Sequence, residues 1–160
     1  MKTLILVRHA KAIRGDPSLP DIERSLDDRG RHDAARMGER LAERGVRPDL
    51  IVSSPALRAR TTAQLMADPI GHPQQAIVIE DSLYASSVRN LLAIVHALDD
   101  RLDSVMLFGH NPEFADLARR LSGIDDMPTC AVAEFRFDTQ AWADVGEIDP
   151  VQATLDTPKG

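Results

Sequence analysis

"LILVRHAKA", Leu4 to Ala12, is the stretch on which the fold turns. Four apolar residues run straight into Arg8 and His9, the pattern of a buried strand that carries an arginine and a histidine to its carboxyl end. The same pattern recurs. "LIVSS" (Leu50–Ser54), "AIVIE" (Ala76–Glu80) and "SVMLF" (Ser104–Phe108) are further continuous apolar runs. Helical spacings separate them. Ala34, Met37, Leu41 and Ala42 make one apolar stripe, stopped by Gly45 and Pro48. Ser54-Pro55 reads as an N-cap followed by proline at N1, opening a helix with Leu57, Thr61 and Leu65 inward. Residues Ser87 to Asp99 place Val88, Leu91, Leu92, Val95 and Leu98 on one face. Asn111-Pro112-Glu113 reads as N-cap, N1 and acidic first turn of a helix that Gly123 ends. "CAVAEFRF" (Cys130–Phe137) alternates, as a strand with one wetter face does. The last twenty residues are weakly patterned, with one short strand expected near Val151–Leu155. This alternation predicts an α/β fold, a three-layer α/β/α sandwich with a mostly parallel central sheet, as one domain over residues 1–160.

Composition narrows the function. The chain is 43% hydrophobic and 28% charged, as an ordinary globular domain is. A net charge of −6 argues against nucleic acid as a partner, yet leaves room for a small cationic pocket. One cysteine, Cys130, cannot form an internal disulfide, and no cysteine pattern suggests a metal site. Without a signal-like h-region or a long apolar run, the protein is expected to be soluble, cytoplasmic, free of membrane and monomeric.

Ligands of open α/β sheets bind at the carboxyl ends of the strands, so the residues after each strand matter most. Arg8 and His9 follow the first strand. Arg58 lies on the first turn of the helix after the second, and Gly109, His110 and Asn111 follow the fourth. Taken singly, each has an ordinary reading: a capping pair, a solvated helix arginine, a loop histidine bonded to backbone. Their joint placement, with two helix N-termini, points to a pocket for a dianion such as phosphate. His32, His72 and His96 lack that placement and read as structural. A metal held by His9 and His110 is disfavoured, since the arginines would repel a cation and no carboxylate falls at a matched strand end.

Three motifs carry a family resemblance. "LVRHAKA" resembles the Arg-His signature of the histidine phosphatase superfamily, "SSPALRARTTA" its Ser-Pro-x-x-Arg-x-x-x-Thr segment, and "GHNP" its second-histidine segment. They occur in the family's order, over roughly residues 1 to 140. The compact length and the "RHAK" opening are similar to the SixA-like phosphohistidine phosphatases. "RSLDDRG" (Arg24–Gly30) resembles that branch's Arg-Pro-Leu-Thr-x-x-Gly, departing at Ser25 and Asp27, although Asp27 can cap the next helix.

The resemblance implies a histidine phosphatase/phosphoglycerate mutase-like fold and a phosphatase that needs neither cofactor nor metal. His9 would be the nucleophile and form a phosphohistidine. Arg8 and Arg58 would grip the phosphoryl oxygens, and His110, as cation or donor, would neutralise developing charge. Asn111 would border the substrate, orienting His110 or capping its helix. Lys11 reads as a solvated lysine. Ester-cleaving members carry a glutamate acid after the third strand, in a Leu-x-Glu pattern, where "DSLYAS" has Ala85. That favours phosphohistidine in a protein substrate, unless Glu80, Asp81, Asp16, Asp21 or Glu23 substitutes. A small-molecule phosphomonoesterase and a non-catalytic phosphate-binding module are the alternatives.

Overall fold

Apolar residues in a strand buried on both sides must serve two cores, and the sheet here does so. The computed structural model describes residues 1–159. Strand β1 (Lys2–Arg8) is followed by α1 (Asp28–Glu43), β2 (Leu50–Ser53), α2 (Leu57–Ile70) and β3 (Val78–Ile79). Then come α3 (Val88–His96), β4 (Ser104–Gly109), α4 (Glu113–Ser122), β5 (Val132–Phe137) and β6 (Gln152–Asp156). The sheet order is β3-β2-β4-β1-β5-β6. Strands β1 to β4 run parallel, and β5 pairs antiparallel with both β1 and β6. Alternate residues of β1 and β4 divide between the faces. Ile5, Val7, Met106 and Phe108 pack with Ala34, Met37 and Leu41 of α1 and with Ala63, Met66 and Ala67 of α2. Leu4, Leu6, Val105 and Leu107 pack with Leu91, Leu92 and Val95 of α3 and with Phe114, Leu117 and Leu121 of α4. The result is the expected three-layer α/β/α sandwich, with β4 and β1 at the centre of the sheet.

Most expected elements are present, with four corrections. The third strand is two residues long rather than five. Ala76 closes a 3-10 turn, and Val78 and Ile79 pair only with Val52 and Ser53 at the sheet's edge, so their exposure is that of an edge strand. Helix α2 starts at Leu57, after Ala56, because Ser54 and Pro55 remain outside it. Its buried face is therefore Ala59, Thr62, Ala63, Met66, Ala67 and Ile70, one residue round from the expected Leu57, Thr61 and Leu65, which are half-buried. The small residues let α2 lie close against α1. Helix α3 ends at His96, short of Asp99. Helix α4 begins one residue late, with Pro112 at the cap position.

One glycine is demanded by packing ahead of the site. A Cβ on Gly30 would lie 2.0 Å from the carbonyl oxygen of Lys11, while Asp27 Oδ1 accepts the Gly30 amide at 2.7 Å. The Asp27-x-x-Gly30 spacing thus docks the start of α1 on the chain just after His9. Asp27 caps this helix as the sequence suggested.

Candidate active site

Register brings the two histidines together. Arg8 of β1 is the partner of Gly109 of β4, so the next residue of each strand, His9 and His110, emerges side by side. The His9 amide donates to Gly109 O at 3.0 Å, and the two ring centroids are 5.2 Å apart. A Cβ on Gly109 would lie 2.5 Å from the Phe114 ring, so glycine is what lets that ring pack beneath the turn. One strand further, Ser53 aligns with Phe108, which sets Ser54 beside His110.

The surroundings of His9 fix its tautomer. Its Nδ1 lies 2.7 Å from Ala10 O, and a carbonyl oxygen can only accept. Nδ1 therefore carries the proton and Nε2 holds a free lone pair. The Ala10 backbone is itself held, since its amide donates to Thr62 Oγ1 at 3.0 Å and that hydroxyl donates to Arg58 O at 2.7 Å. His9 is 9% exposed. Burial, joined by the nearby Arg58, Arg8 and Arg24 charges, lowers its pKa to about 4, so it is neutral at pH 7.

His110 is neutral as well. Burial, then His9 and Arg58, lowers its pKa to about 3, which favours the donor over the cation of the two forms the sequence left open. Its Nε2 lies 2.8 Å from Ser54 Oγ, and that hydroxyl also accepts the Ala56 amide at 3.2 Å. A Ser54 hydroxyl that donates to Nε2 leaves the His110 proton on Nδ1, the tautomer that can donate to an anion. Arg8 Nη1 donates to Met127 O at 3.1 Å, and burial pushes the Arg8 pKa below its ordinary value. Arg8 Nε, Arg58 Nε and His110 Nδ1 are buried without a hydrogen-bond partner among the described residues. Native proteins rarely leave donors in that state. A tetrahedral anion between them would satisfy them.

The N-terminus of α4 contributes less than expected, because the chain consumes two of its amides. Phe114 N donates to His110 O at 3.0 Å and Ala115 N to Asn111 Oδ1 at 3.1 Å. Asn111 also donates from Nδ2 to Met127 O at 2.9 Å, so it borders the cleft while its carboxamide braces the turn. Lys11 is mostly exposed, 4.0 Å from Asp27.

Asp21, Tyr84, Ser54, Thr62 and Glu113 complete the site. Of these the sequence pointed to Asp21 only as one possible substitute acid, and to Ser54 and Thr62 only as members of the Ser-Pro-x-x-Arg-x-x-x-Thr motif. Arg58 Nη1 donates to Asp21 O at 2.8 Å and Nη2 to Asp21 Oδ2 at 3.0 Å. Tyr84 donates its hydroxyl to the same oxygen at 2.6 Å, and Arg24 Nε reaches Asp21 Oδ1 at 2.8 Å. The Tyr84 hydrogen bond, with those from Arg24 and Arg58, holds the Asp21 carboxyl well below the usual carboxylate range. A carboxylate held so firmly ionised is a poor proton donor, so Asp21 does not replace the acid that Ala85 lacks. Asp21, Arg58, Tyr84, Ala85, His110 and Glu113 border an open cleft of about 420 Å³. The Thr in the Ser-Pro-x-x-Arg-x-x-x-Thr motif was the one available signal for Thr62. Asp21 and Tyr84 are 63 positions apart, and nothing local joins them. A larger groove of about 540 Å³, with Arg44, Arg47 and Arg136, opens elsewhere and holds no histidine. No cluster of three or more metal-ligating side chains occurs among the described residues, and no described helix is long and apolar enough to cross a membrane.

An α/β sheet with two neutral histidines and two arginines at its carboxyl edge defines a phosphoryl-binding class of protein. The chain belongs to the histidine phosphatase superfamily (branch 1), whose family model matches residues 4–84. An uncharacterized chloroplastic protein of Arabidopsis thaliana is 30% identical over 152 residues, covering 88% of this chain and 69% of that one. A 2,3-bisphosphoglycerate-dependent phosphoglycerate mutase of Mycobacterium leprae is 41% identical over 68 residues, but the match covers only 41% of this chain and 28% of the mutase. Among solved structures, a protein from Agrobacterium tumefaciens assigned to the SixA phosphohistidine phosphatases superposes with TM-score 0.78 at 32% identity, covering 84% and 90% of the two chains. A protein histidine phosphatase SixA solved with tungstate shares the fold at TM-score 0.79 and 22% identity, covering 98% and 97%. Within the superfamily the chain is thus SixA-like, and these likenesses support phosphatase chemistry.

Proposed function

We propose that this protein hydrolyses N-phosphorylated substrates, foremost phosphohistidine carried on a protein, through a phosphohistidine at His9. The observation that carries the reading is the His9 tautomer: a lone pair on Nε2, held ready among buried donors that lack protein partners. Nε2 attacks phosphorus, the bond to the leaving nitrogen breaks, and its electron pair departs with that nitrogen. Arg8, Arg58 and the Nδ1 proton of His110 hold the phosphoryl oxygens, and Asn111 braces the turn beside them. A water oxygen then attacks phosphorus. The P–N bond breaks, its pair returns to Nε2, and the water's proton leaves with phosphate or solvent. Positive charge comes from the arginines, so the chemistry needs no metal. The imidazole of a phosphohistidine can be protonated on its distal ring nitrogen before it leaves, whereas an alkoxide needs an acid at the moment of departure. Ala85, and an Asp21 locked as its anion, therefore favour nitrogen over alkyl-oxygen leaving groups.

The test is a panel of phosphohistidine protein, phosphoimidazole, p-nitrophenyl phosphate and glycerol phosphate, with and without EDTA. Phosphohistidine and phosphoimidazole should lead, glycerol phosphate should trail by roughly 10²–10⁴-fold, and EDTA should change nothing. Equal rates on alkyl and aryl esters would favour the small-molecule phosphomonoesterase. Loss of activity in EDTA, restored by a divalent metal, would end the metal-free mechanism.

A further inference from the structure

Glu113 has an environment that its position in the chain does not explain. A carboxylate in the first turn of a helix gains from the helix dipole without being buried. Glu113 is 6% exposed. Its Oε2 accepts the Ser86 amide at 3.0 Å, and no cation pairs with it among the described residues. The second carboxylate oxygen has no protein partner among the described residues and is not sealed from solvent, so it is open to a ligand. It borders the same cleft as Arg58 and His110, beside Ala85 and Ser86. The other carboxylate there, Asp21, already receives hydrogen bonds from Arg58, Arg24 and Tyr84. Glu113 is therefore the one acidic side chain bordering this cleft whose charge the chain leaves unbalanced.

We infer that Glu113 binds the cationic leaving group of a phosphoramidate, accepting the N–H of the imidazolium nitrogen that does not carry the phosphoryl group. The inference rests on the N-phosphoryl reading above and names the form of substrate it takes. In N-phosphoryl imidazolium, one ring nitrogen bears phosphorus and the other bears a proton. When His9 Nε2 attacks, the P–N bond breaks and its electron pair stays on the leaving nitrogen. The product is neutral imidazole, its proton already on the distal nitrogen, so no acid acts at the breaking bond. What the site must supply is an anion that favours the protonated ring, and Glu113 supplies it from α4 rather than from the segment around Ala85. The substrate's cation in turn balances the buried carboxylate.

The experiment compares kcat/KM on phosphoimidazole with kcat/KM on p-nitrophenyl phosphate, for the unaltered protein, Glu113→Gln and Glu113→Asp. Glutamine keeps the shape and the acceptor for Ser86 while removing the charge. The ratio of the two should fall about 10- to 100-fold in Glu113→Gln, the size of one charge-assisted hydrogen bond. It should be partly retained in Glu113→Asp. Using a ratio cancels any loss of folded protein. An unchanged ratio overturns the inference and leaves Glu113 as a brace for Ser86. A ratio that rises, with glycerol phosphate hurt most, also overturns it and makes Glu113 an acid for oxygen leaving groups. If the unaltered protein shows no preference for phosphoimidazole, the N-phosphoryl reading itself fails, and the inference falls with it.

Discussion

Strand β1 carries a cation near each end, Lys2 buried and Arg8 half-buried, and the two are treated in opposite ways. At its start Lys2 is wholly buried. Its ammonium donates to Asp100 O, to Leu102 O at 2.8 Å and to Asp103 Oδ1 at 3.2 Å, and lies 5.6 Å from the Trp142 ring centroid. All three N–H bonds have acceptors within the chain. At the other end Arg8 bonds Met127 O but keeps a buried Nε without a partner, as Arg58 and His110 do nearby. The same strand, seven residues long, thus ends in a saturated cation on one side and a set of unspent donors on the other. Burial alone does not mark a functional charge. Burial with bonds left unmade does where such atoms gather beside a nucleophile, since His72 Nε2, outside the site, is also buried with no partner among the described residues.

The sharpest way to break this contrast is to remove the nucleophile. His9→Ala should lower turnover at least about 10³-fold while phosphate or sulfate binding stays measurable by calorimetry, since Arg8, Arg58 and His110 remain. Near-normal turnover would take His9 out of the mechanism.

A second measurement uses pH. Burial lowers the pKa of His9 to about 4 and that of His110 to about 3, from the ordinary 6.5 of an unfolded chain. Between those values the unfolded chain binds more protons, so stability is full above pH 6.5 and falls as pH drops toward 4. Denaturant unfolding should show a loss of roughly 3 kcal/mol per histidine, about 6 kcal/mol together, from pH 7 to 4. The slope should flatten in a His9→Ala/His110→Ala double variant. An equal slope in both proteins would place the titration elsewhere.

The saturated end should respond in the reverse sense. Lys2→Met is expected to cost about 1–3 kcal/mol of unfolding free energy, by leaving buried carbonyls unpaired, with kcat/KM within a factor of two. A large kinetic effect with intact stability would contradict the assignment of Lys2 to structure. The smallest effect belongs to Ser54→Ala, which removes the partner of His110 Nε2. About a tenfold drop in kcat/KM is expected, because the ring loses the bond that sets its tautomer. No drop would mean that packing alone orients His110.

The strands beside the site and the positions of Arg8, His9, Arg58 and His110 could be read along the chain. Each rests on local rules: a continuous apolar run, a helical stripe, a residue one step past a strand. Those rules act over a few residues and survive in a linear text. They failed where a neighbour intervened. The face of α2 turned by one position because α1 covers it and Ser54 is engaged by His110. Residues 76–80 gave only two strand positions because a single partner pairs with them. The neutrality of both rings, the Asp21–Tyr84–Arg58 network and the buried charge of Glu113 were not legible at all. They arise from side chains tens of residues apart that β1–β4 register and loop packing bring within hydrogen-bonding distance. Their energies depend on lost water, and water is lost only when the layers close.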